Sequence, residues 1–541
     1  MLKRVARLYR TAKHLRASQL AARARLRLWK PPPQLAAAPP RRTPRAPLVP
    51  GARHAASMLA ADEFSFIGER HRIAAAGDWS NPNWPRLWLY NLHYFDDLNA
   101  VDAPARAAWH GEWIEHWLAD NLPGRGVGWE PYPTSRRILS WIKFALRGGP
   151  LTPSALHSLA VQARWLQRRL EWHLGGNHLL ANALALVCAG AFFEGPEADA
   201  WLRHARGLIE RELAAQILAD GGHYERSPMY HALVLEDLLD ACNVLQCCGL
   251  QIAADWGSCA LRMQRWLEVL THPDGDIAFF NDATFGVAAR PAELRAYGAR
   301  LLGAPAAAPA LGSVLLPASG YGRLQRADAV LFADCAALGP DHLPGHAHAD
   351  TLSFELSLGC ERVLVNSGVS LYAAGAERDR QRGTAAHNTL VIDGADSSEV
   401  WHAFRVGRRA RVVEIGFEDE ATASLLRAAH DGYRALEGRN LHRRSWRLQA
   451  DEVQIEDEVR GTHGSAIAHF HLHPRVRLEG SPPNLVCVTP AGRRLHWRFS
   501  EAAVVEAYDS SWHPGFGSTL PATALRVRAQ GGRLRTTIAW E

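Results

Sequence analysis

Two segments of the first half of the chain carry polar residues in patterns that can do chemistry. Residues 175–178 (GGNH) combine a glycine pair, which allows a sharp turn before a helix, with Asn177, which either caps that helix or points into a cleft. Residues 220–231 (DGGHYERSPMYH) form a loop dense in titratable side chains, among them Glu225 and Tyr230. Because such a loop is costly to keep only for structure, we interpret residues 220–231 as part of a functional site.

Two further segments lie in the second half. In the string HAHAD, an extended backbone places His346, His348 and Asp350 on one face. Downstream, His387 opens the run HNTLVID. Each histidine alone is more often a hydrogen-bonded structural residue. Together, a histidine pair and a distant histidine can supply three ligands to Zn²⁺ and leave a fourth position open, or can act in acid–base chemistry.

The elements that must position these residues change in kind near residue 320. From about 105 to 300, apolar residues recur at helical spacing in segments near 105–120, 135–147, 154–173, 178–193, 198–217, 228–249 and 257–271. Short Gly/Pro breaks separate them, which predicts antiparallel neighbours in a ring of helical hairpins. Fourteen of the 19 tryptophans precede residue 270, and we expect most to be core and some to line a sugar-binding groove.

After residue 320 short β-rich runs follow one another, separated by turn residues, and these predict an antiparallel sandwich. The runs are 329–337, 351–358, 362–366, 388–392, 410–417, 446–448, 452–459, 466–471, 484–488, 494–499, 503–508, 524–529 and 534–540. The chain is therefore predicted to be an α+β multidomain protein. Its expected parts are a basic helix and linker (1–50), a helical domain (51–315) and a β-domain (316–541), with the Ala/Pro stretch 304–310 as the seam.

The charge is divided unevenly. Residues 1–50 hold 13 Lys+Arg and no acid, whereas the remaining 491 hold 48 Lys+Arg against 55 acids, a net charge of −7. A mildly acidic body argues against a nucleic-acid-binding protein. Residues 1–30 read as a basic amphipathic helix, which either docks on that body or lies on an anionic membrane surface, and 31–50 read as a Pro-rich linker. Since no secretory signal is evident, we expect a cytoplasmic protein or one peripheral to the inner membrane, with a periplasmic location left open.

The composition sets outer limits. The 541 residues are 47% hydrophobic and 21% charged, which excludes disordered and fibrous classes. The eight cysteines form no CxxC pair and no zinc-ligand spacing, so we expect buried free thiols.

Four strings, in their order along the chain, resemble the heparinase II/III family of polysaccharide lyases, and a fifth adds to the resemblance. The four are GGNHLLAN (175–182), DGGHYERSPMYH (220–231), GHAHADTLSFEL (345–356) and AAHNTLVIDG (385–394), and the fifth is WEPYPTSRRILSW (129–141). The resemblance covers roughly residues 80–540. It implies an (α/α) toroid followed by an antiparallel β-sandwich, with the active site in a cleft between them. It also implies an acidic, uronate-containing polysaccharide as substrate, cleaved by β-elimination.

The resemblance assigns roles to individual residues. Asn177 hydrogen-bonds the uronate carboxyl group, and His178 lies beside that group or acts as a base. Tyr230 protonates the departing O4, and also serves as base where the C5 hydrogen and O4 share a face. His346 is the base for the opposite epimer. The chemistry requires no redox cofactor.

Further residues are assigned to binding. We expect substrate contacts from Trp129, Arg136 and Glu225. By the same resemblance, a structural zinc or other divalent ion takes ligands at the positions of His348, Asn366 and His387. Asn366 stands where an aspartate is expected, and since an amide oxygen is the weaker ligand, the occupancy of the metal site stays open.

Two other classes of function stay open at this point. A glycoside hydrolase on a helical toroid needs two carboxylates about 5–10 Å apart, for which Glu130, Glu225 and Asp350 are the candidates. A non-catalytic carbohydrate-binding protein is favoured if Tyr230 and His346 point away from the cleft. The sequence does not name the polymer or the oligomeric state. The excess of Arg over Lys, 57 against 4, hints at a GC-rich bacterial genome, and we favour bacterial exopolysaccharide among glycosaminoglycan-like, alginate-like and exopolysaccharide substrates.

Overall fold

The computed structural model describes residues 2–29, 31–303, 311–482, 484–500 and 503–541. Most helices lie in the first 300 positions. They are α1 (Leu2–Ala12), α2 (Ala17–Leu28), α3 (Arg86–Tyr94), α4 (Ala107–Asp120), α5 (Pro131–Leu146), α6 (Pro153–Arg168), α7 (Gly176–Phe192), α8 (Pro196–Gln216), α9 (Pro228–Cys247), α10 (Ala254–Val269), α11 (Pro291–Leu302) and α12 (Ala376–Arg382).

The first half of the chain is the predicted (α/α) toroid. Proline opens α5, α6, α8, α9 and α11, where its missing N–H would have no helical partner in any case. Helix α7 is apolar around nearly its whole circumference, and it accordingly lies buried against α5, α6, α8 and α9. The start of α7 and the start of α9 carry two of the four motifs.

The toroid half also contains a hairpin, so the predicted helical domain (51–315) is not helical throughout. Strands β1 (Glu63–Phe66) and β2 (Glu69–Arg72) pair antiparallel. The turn between them has positive φ at both Ile67 (47°) and Gly68 (81°), as a two-residue hairpin loop requires. Four-residue strands are too short to show a clear alternation in the sequence, which is why the hairpin escapes prediction.

The remaining strands follow residue 313. They are β3 (Val314–Leu316), β4 (Tyr321–Arg326), β5 (Ala329–Asp334), β6 (Phe354–Leu358), β7 (Glu361–Leu364), β8 (Leu390–Ile392), β9 (Val400–Trp401), β10 (Arg405–Val406), β11 (Val412–Asp419), β12 (Ser424–His430), β13 (Leu441–Leu448), β14 (Glu452–Arg460), β15 (Ala466–His471), β16 (Arg477–Glu479), β17 (Leu485–Val488), β18 (Arg494–Phe499), β19 (Val504–Trp512), β20 (Leu520–Arg528) and β21 (Arg533–Trp540).

These strands form a β-sandwich whose named strands all pair antiparallel, as predicted. Its largest sheet runs β11-β12-β13-β14-β21-β18-β17-β16, and the others run β19-β20-β15-β8 and β3-β4-β5-β6-β7, beside the two-stranded β9-β10. Every second residue of β13 is buried, so Trp446 and Leu448 point into a core shared with Phe354 and Phe470. The short helix α12 lies between β7 and β8 without entering a sheet.

The two halves pack directly on each other. Trp266 of α10 lies against Tyr321 and Phe332 of the five-stranded sheet in one hydrophobic cluster. Asp220 of the toroid accepts hydrogen bonds from the backbone N–H (2.7 Å) and the hydroxyl (2.9 Å) of Ser319. The predicted seam, 304–310, lies outside the described residues.

The N-terminal segment differs from its prediction in two respects. Two helices, α1 and α2, stand in place of the single helix that was expected. The expected linker is an extended segment fixed on the toroid, where Arg42 donates to the carbonyls of Ala191, Phe192 and Phe193 at the end of α7. These terminal carbonyls lack helical partners, which explains why an arginine-bearing segment binds there. Seven of the eight free cysteines are buried as expected, and Cys360 is exposed. None of the helices described is both long and apolar enough to span a bilayer.

Candidate active site

The first motif holds its asparagine against a glutamate from the second motif. Glu225 accepts from the backbone N–H (2.9 Å) and from the side-chain amide (3.0 and 3.1 Å) of Asn177. Gly176 has φ of +56°, and a Cβ there would lie 2.3 Å from Leu343 and 2.5 Å from the Glu225 carboxylate. The glycine is therefore required by both conformation and space. The arrangement fixes Asn177 in the first turn of α7.

His178 lies one residue further on and faces a different carboxylate. Its Nδ1 donates to Glu171 at 3.1 Å, and its ring lies 4.5 Å from that of Tyr132. Burial lowers the pKa of His178, but the Glu171 carboxylate outweighs burial and raises that pKa above its ordinary value. The imidazole therefore favours its charged form.

Tyr230 is presented by the first turn of α9. The hydroxyl of Ser227 caps this helix by accepting from the Tyr230 N–H at 3.2 Å. The phenol ring lies 3.8 Å, centroid to centroid, from the imidazole of His346, and its Oη is 3.0 Å from the Oη of Tyr372. Burial raises the pKa of Tyr230 well above its ordinary value, so the phenol keeps its proton.

His346 comes from the β-half and is oriented by a buried aspartate. Its Nδ1 donates to Asp282 at 2.9 Å, which leaves Nε2 to accept a proton, and Nε2 lies 3.7 Å from the Glu225 carboxylate. Burial alone would raise the pKa of Asp282, but Arg378, which binds both its oxygens at 2.5 and 2.8 Å, holds that pKa well below the usual range. Asp282 is thus a fixed negative charge behind the imidazole.

The geometry brings the four residues predicted as catalytic to one junction between the halves. Asn177 and His346 meet through Glu225, and the His346 ring lies against that of Tyr230, tilted by 30°. Tyr132, which lines one pocket with Asn177 and Tyr230, contacts the ring of His178. Three contributors were missed by the sequence. Tyr372, Asp282 and Arg378 come from loops or a short helix and carry no motif of their own.

Of the predicted substrate-binding residues, only Glu225 lies among these groups. Trp129 is buried in the toroid core, where it packs on Trp117 and Trp165, so it is not placed to make the predicted contact with substrate. Its indole N–H is already used by the Asn121 carbonyl at 3.2 Å. Arg136 is partly buried and pairs with Asp237 and, at 3.7 Å, with Asp96, so its guanidinium is already held by two carboxylates of the protein.

A second cluster, immediately behind Asp282, fits a metal ion. The Nε2 of His348 donates to Asp282 (2.8 Å) and the Nδ1 of His387 donates to the Asn366 amide oxygen (3.3 Å). The remaining lone pairs, on His348 Nδ1 and His387 Nε2, therefore face each other at 3.3 Å. This is the spacing expected of two ligands at about 2.0–2.1 Å in a tetrahedral site.

The third ligand differs from the predicted one. Potential ligand atoms of His348, Asp350 and His387 all lie within 4.8 Å of one another, and all three residues are buried. Asn366 instead contacts the far nitrogen of His387, the position of a group that orients an imidazole. Burial lowers the pKa of His348 to about 4 and of His387 to about 3, which keeps both imidazoles neutral and able to bind a cation.

Comparison with known proteins gives consistent matches over most of the chain. The family model for "Heparinase II/III N-terminus" matches residues 108–297, and that for "Heparinase II/III-like, C-terminal" matches residues 308–541. FtsZ-localized protein C of Caulobacter vibrioides is 26% identical over 485 residues, covering 85% of this chain and 82% of the relative. A heparin-sulfate lyase of Bacteroides stercoris is 22% identical over 403 residues, and the match spans 69% of this chain and 58% of that lyase.

The fold agrees with solved structures. A crystal structure of heparinase III superposes with a TM-score of 0.69 at 19% identity, covering 88% of this chain and 80% of that one. At this level of identity the likeness concerns the fold, a toroid followed by a sandwich.

Proposed function

The chain belongs to the heparinase II/III-like family, and we propose that it is a polysaccharide lyase acting on an acidic, uronate-containing polymer. The observation that carries the proposal is the meeting of an amide, a phenol and an imidazole at the junction of the two halves. The ring centroids of Tyr230 and His346 lie 3.8 Å apart there. A β-elimination needs these three kinds of group: one to bind the carboxyl, one to remove a proton and one to donate a proton.

The bond changes follow from the protonation states. The Nε2 of His346 removes the C5 hydrogen as a proton. The C5–H electron pair becomes the C4–C5 double bond, and the bond from C4 to the glycosidic oxygen breaks. Tyr230, whose pKa is raised by burial, gives its proton to that departing oxygen.

Asn177 stabilises the charge that develops on the carboxyl group when C5 loses its proton. Glu225 already occupies the asparagine amide, at 3.0 and 3.1 Å. A uronate carboxyl group that takes over one of these contacts accepts a hydrogen bond from the amide. That hydrogen bond withdraws negative charge from the carboxyl group, which makes its C5 hydrogen more acidic.

The close contact between the rings of Tyr230 and His346 also bears on which C5 epimer of the uronate is preferred. Rings 3.8 Å apart leave no space for a pyranose between them, so Tyr230 and His346 reach a sugar from one side. We therefore assign the enzyme to substrates whose C5 hydrogen and O4 lie on the same face, with His346 acting as the base that the resemblance makes Tyr230 for this epimer. A glycosaminoglycan-like polymer fits the relatives, and an exopolysaccharide of the producing bacterium fits the expected location.

A divalent ion, zinc by the ligand chemistry, is proposed between His348, Asp350 and His387. When bound, it supplies positive charge that ties the HAHAD segment to the start of β8, and no step of the elimination passes through it. The residues Asp282 and Asn366 keep the two imidazoles in the tautomers that a cation needs.

The test is turnover of a panel of uronate polymers, including both C5 epimers, by the purified full chain. A lyase releases an unsaturated uronate that absorbs in the ultraviolet. The variant Tyr230→Phe should fold normally and lose about 10²–10⁴-fold in rate. Tyr508→Phe is the matched control, since it removes a phenol that hydrogen-bonds His469 in the remote sandwich.

Other outcomes would replace the proposal. New reducing ends without ultraviolet absorbance would indicate a hydrolase, and near-wild-type turnover by Tyr230→Phe would remove Tyr230 from the mechanism. Polymer binding without any cleavage would indicate a carbohydrate-binding protein.

A second candidate function is favoured by the extent of one match. FtsZ-localized protein C is aligned over 82% of its own length, further than the B. stercoris lyase is. A role at the division site, alongside or in place of catalysis, is tested by whether a fluorescent fusion colocalises with FtsZ. A fusion that spreads evenly through dividing cells would remove this candidate.

A further inference from the structure

Helix α1 docks on the protein through its polar face. Arg7 and Arg10 bind the carboxylate of Glu399 at 2.7–3.0 Å, and Thr11 accepts from the indole N–H of Trp401 at 3.2 Å. These three residues share one side of the helix because they are spaced by three and four positions. Contacts of this kind fix the rotation of α1 about its axis.

The opposite side of α1 is apolar and faces solvent. Val5, Leu8 and Tyr9 are 55%, 43% and 69% exposed, and their spacing places them on a single stripe. A helix at the surface of a globular protein normally turns its apolar stripe inward. Here the orientation is inverted, so the stripe is presented to an outside partner.

Helix α2 continues this surface. Its exposed side carries Leu20 and Leu28, with Arg23 and Arg27 beside them, while Gln19 on the other side donates to the carbonyls of Leu174 and His342. Gln19 thereby fixes α2 on both halves of the molecule at once. The outward faces of α1 and α2 together are called here the N-terminal apolar–basic surface.

Charge indicates what this surface binds. Arg4 on α1 and Lys13, just after its end, are exposed beside the stripe, and the first acidic residue of the whole chain is Asp62. Arginines and lysines at the edges of an apolar stripe suit the boundary between lipid headgroups and acyl chains, where they pair with anionic phosphates.

The size of the surface argues against a folded protein as partner. The helices α1 and α2, of 11 and 12 residues, are about 16 and about 18 Å long and each about 10 Å wide. Stable protein–protein interfaces bury about 800 Å² on each partner, more than twice the footprint of the two helices. A lipid surface needs no such area, because each apolar side chain inserts separately.

We propose that the N-terminal apolar–basic surface binds anionic membranes, with α1 and α2 lying in the plane of the interface while their polar faces stay on the protein. The proposal is independent of the lyase reaction. It joins the two interpretations of residues 1–30 that the sequence left open, since the same helices dock on the body and face a membrane.

The experiment is sedimentation of the full chain with vesicles. The wild type should sediment with vesicles of phosphatidylglycerol and phosphatidylethanolamine, weakly with phosphatidylcholine alone, and less as salt rises from about 0.1 M to about 1 M. The double variant Val5→Glu, Leu8→Glu should lose at least about tenfold in partitioning, because two carboxylates then meet the anionic surface. Leu35→Glu, which adds a charge at a 60% exposed leucine outside the pair, is the matched control and should bind as the wild type.

Three results would overturn the proposal. They are equal partitioning of the double variant and the wild type, no sedimentation of the wild type with anionic vesicles, and a homodimer in light scattering that the double variant converts to a monomer without any vesicle binding. A melting curve for each variant checks the fold, which exposed substitutions should leave unchanged.

Discussion

At the scale of single residues, Tyr372 is the least expected member of the site. Its hydroxyl lies 3.0 Å from that of Tyr230, and its ring packs near Phe404 and Phe516. The second phenol is therefore placed to hold the Tyr230 hydroxyl in position. No motif surrounds Tyr372 in the sequence, so only the fold shows the contact.

Substitution of Tyr372 by Phe should slow turnover about fivefold, because a neutral hydrogen bond contributes about 1 kcal/mol. The effect is expected on kcat rather than KM if Tyr372 positions the proton donor without touching substrate. Steady-state rates of ultraviolet-absorbing product give both constants. A rise in KM with unchanged kcat would make Tyr372 a substrate-binding residue instead.

The proposed metal site at His348, Asp350 and His387 allows a second test at this scale. After equilibration with zinc and dialysis, mass spectrometry of the full chain should find about one ion per chain. Asp350→Asn should lose it, whereas Asn366→Ala should retain it with an affinity about 10–100-fold weaker, since Asn366 only orients His387. The reverse order of the two variants would place Asn366, and not Asp350, among the ligands.

At the scale of elements, the cap of α9 connects stability to the site. Ser227 accepts from the Tyr230 N–H and also donates to the carbonyl of Asp282 at 2.5 Å, so one hydroxyl ties the start of α9 to the loop behind His346. Thr152 caps α6 in the same way, accepting from Ala155 at 3.1 Å, far from the junction.

Ser227→Ala and Thr152→Ala should each cost about 1 kcal/mol of folding free energy. Only Ser227→Ala should also reduce turnover, because the first turn of α9 presents Tyr230. Melting curves and initial rates on both variants separate the two effects. Equal loss of activity in both would show that the cap matters only through stability.

The segment 57–58 is held to the toroid by one carboxylate. Asp97 accepts from the backbone N–H groups of Ser57 and Met58 and from Arg106 and His110. Burial by itself would raise its pKa, but the hydrogen bonds from His110, Arg106 and the two N–H groups outweigh burial and lower the pKa of Asp97 to about 2.

A carboxyl group whose pKa is lowered by folding stabilises the folded state at pH values above its pKa in the unfolded chain, which is about 3.9. This stabilisation is lost as the pH falls towards 2. Asp97→Asn should therefore cost about 2–3 kcal/mol at pH 7, and the gap to wild type should shrink to about half near pH 3. Denaturant unfolding at a series of pH values measures the gap. A gap that is constant from pH 7 to pH 3 would show that the Asp97 charge does not contribute.

The sequence predicts elements best where their pattern is local. The strands Ala466–His471 and Arg494–Phe499 have the predicted bounds. Strand β12, with the sequence SLLRAAH, escapes because its apolar spacing also suits a helix, and only pairing with β11 and β13 decides its form. In the candidate site, likewise, the motif residues are visible in the sequence. Asp282 and Arg378 are not, because only tertiary contacts bring them to the site.

At the scale of the whole molecule, the toroid and the sandwich share a buried polar junction. Arg362 of β7 binds both oxygens of Asp274 at 2.7 and 3.1 Å and donates to the Ile277 carbonyl at 3.1 Å. Beside it, His272 contacts Glu355 at 2.9 Å, with both side chains fully buried. Since the proposed active site takes residues from both halves, we expect this junction to be rigid.

If the junction is rigid, the toroid and the sandwich should unfold in one cooperative transition, with calorimetric and van't Hoff enthalpies in agreement. Arg362→Ala should lower the melting temperature of that single transition by about 2 °C, since a charged hydrogen-bonded pair contributes about 2 kcal/mol and the unfolding entropy scales with chain length. Arg533→Ala removes a pair with Glu458 on the surface, where Arg533 is 81% exposed, and should shift it little. Two separate transitions in the wild type would mean that the halves fold independently, and the site would then depend on substrate or metal to hold Tyr230 against His346.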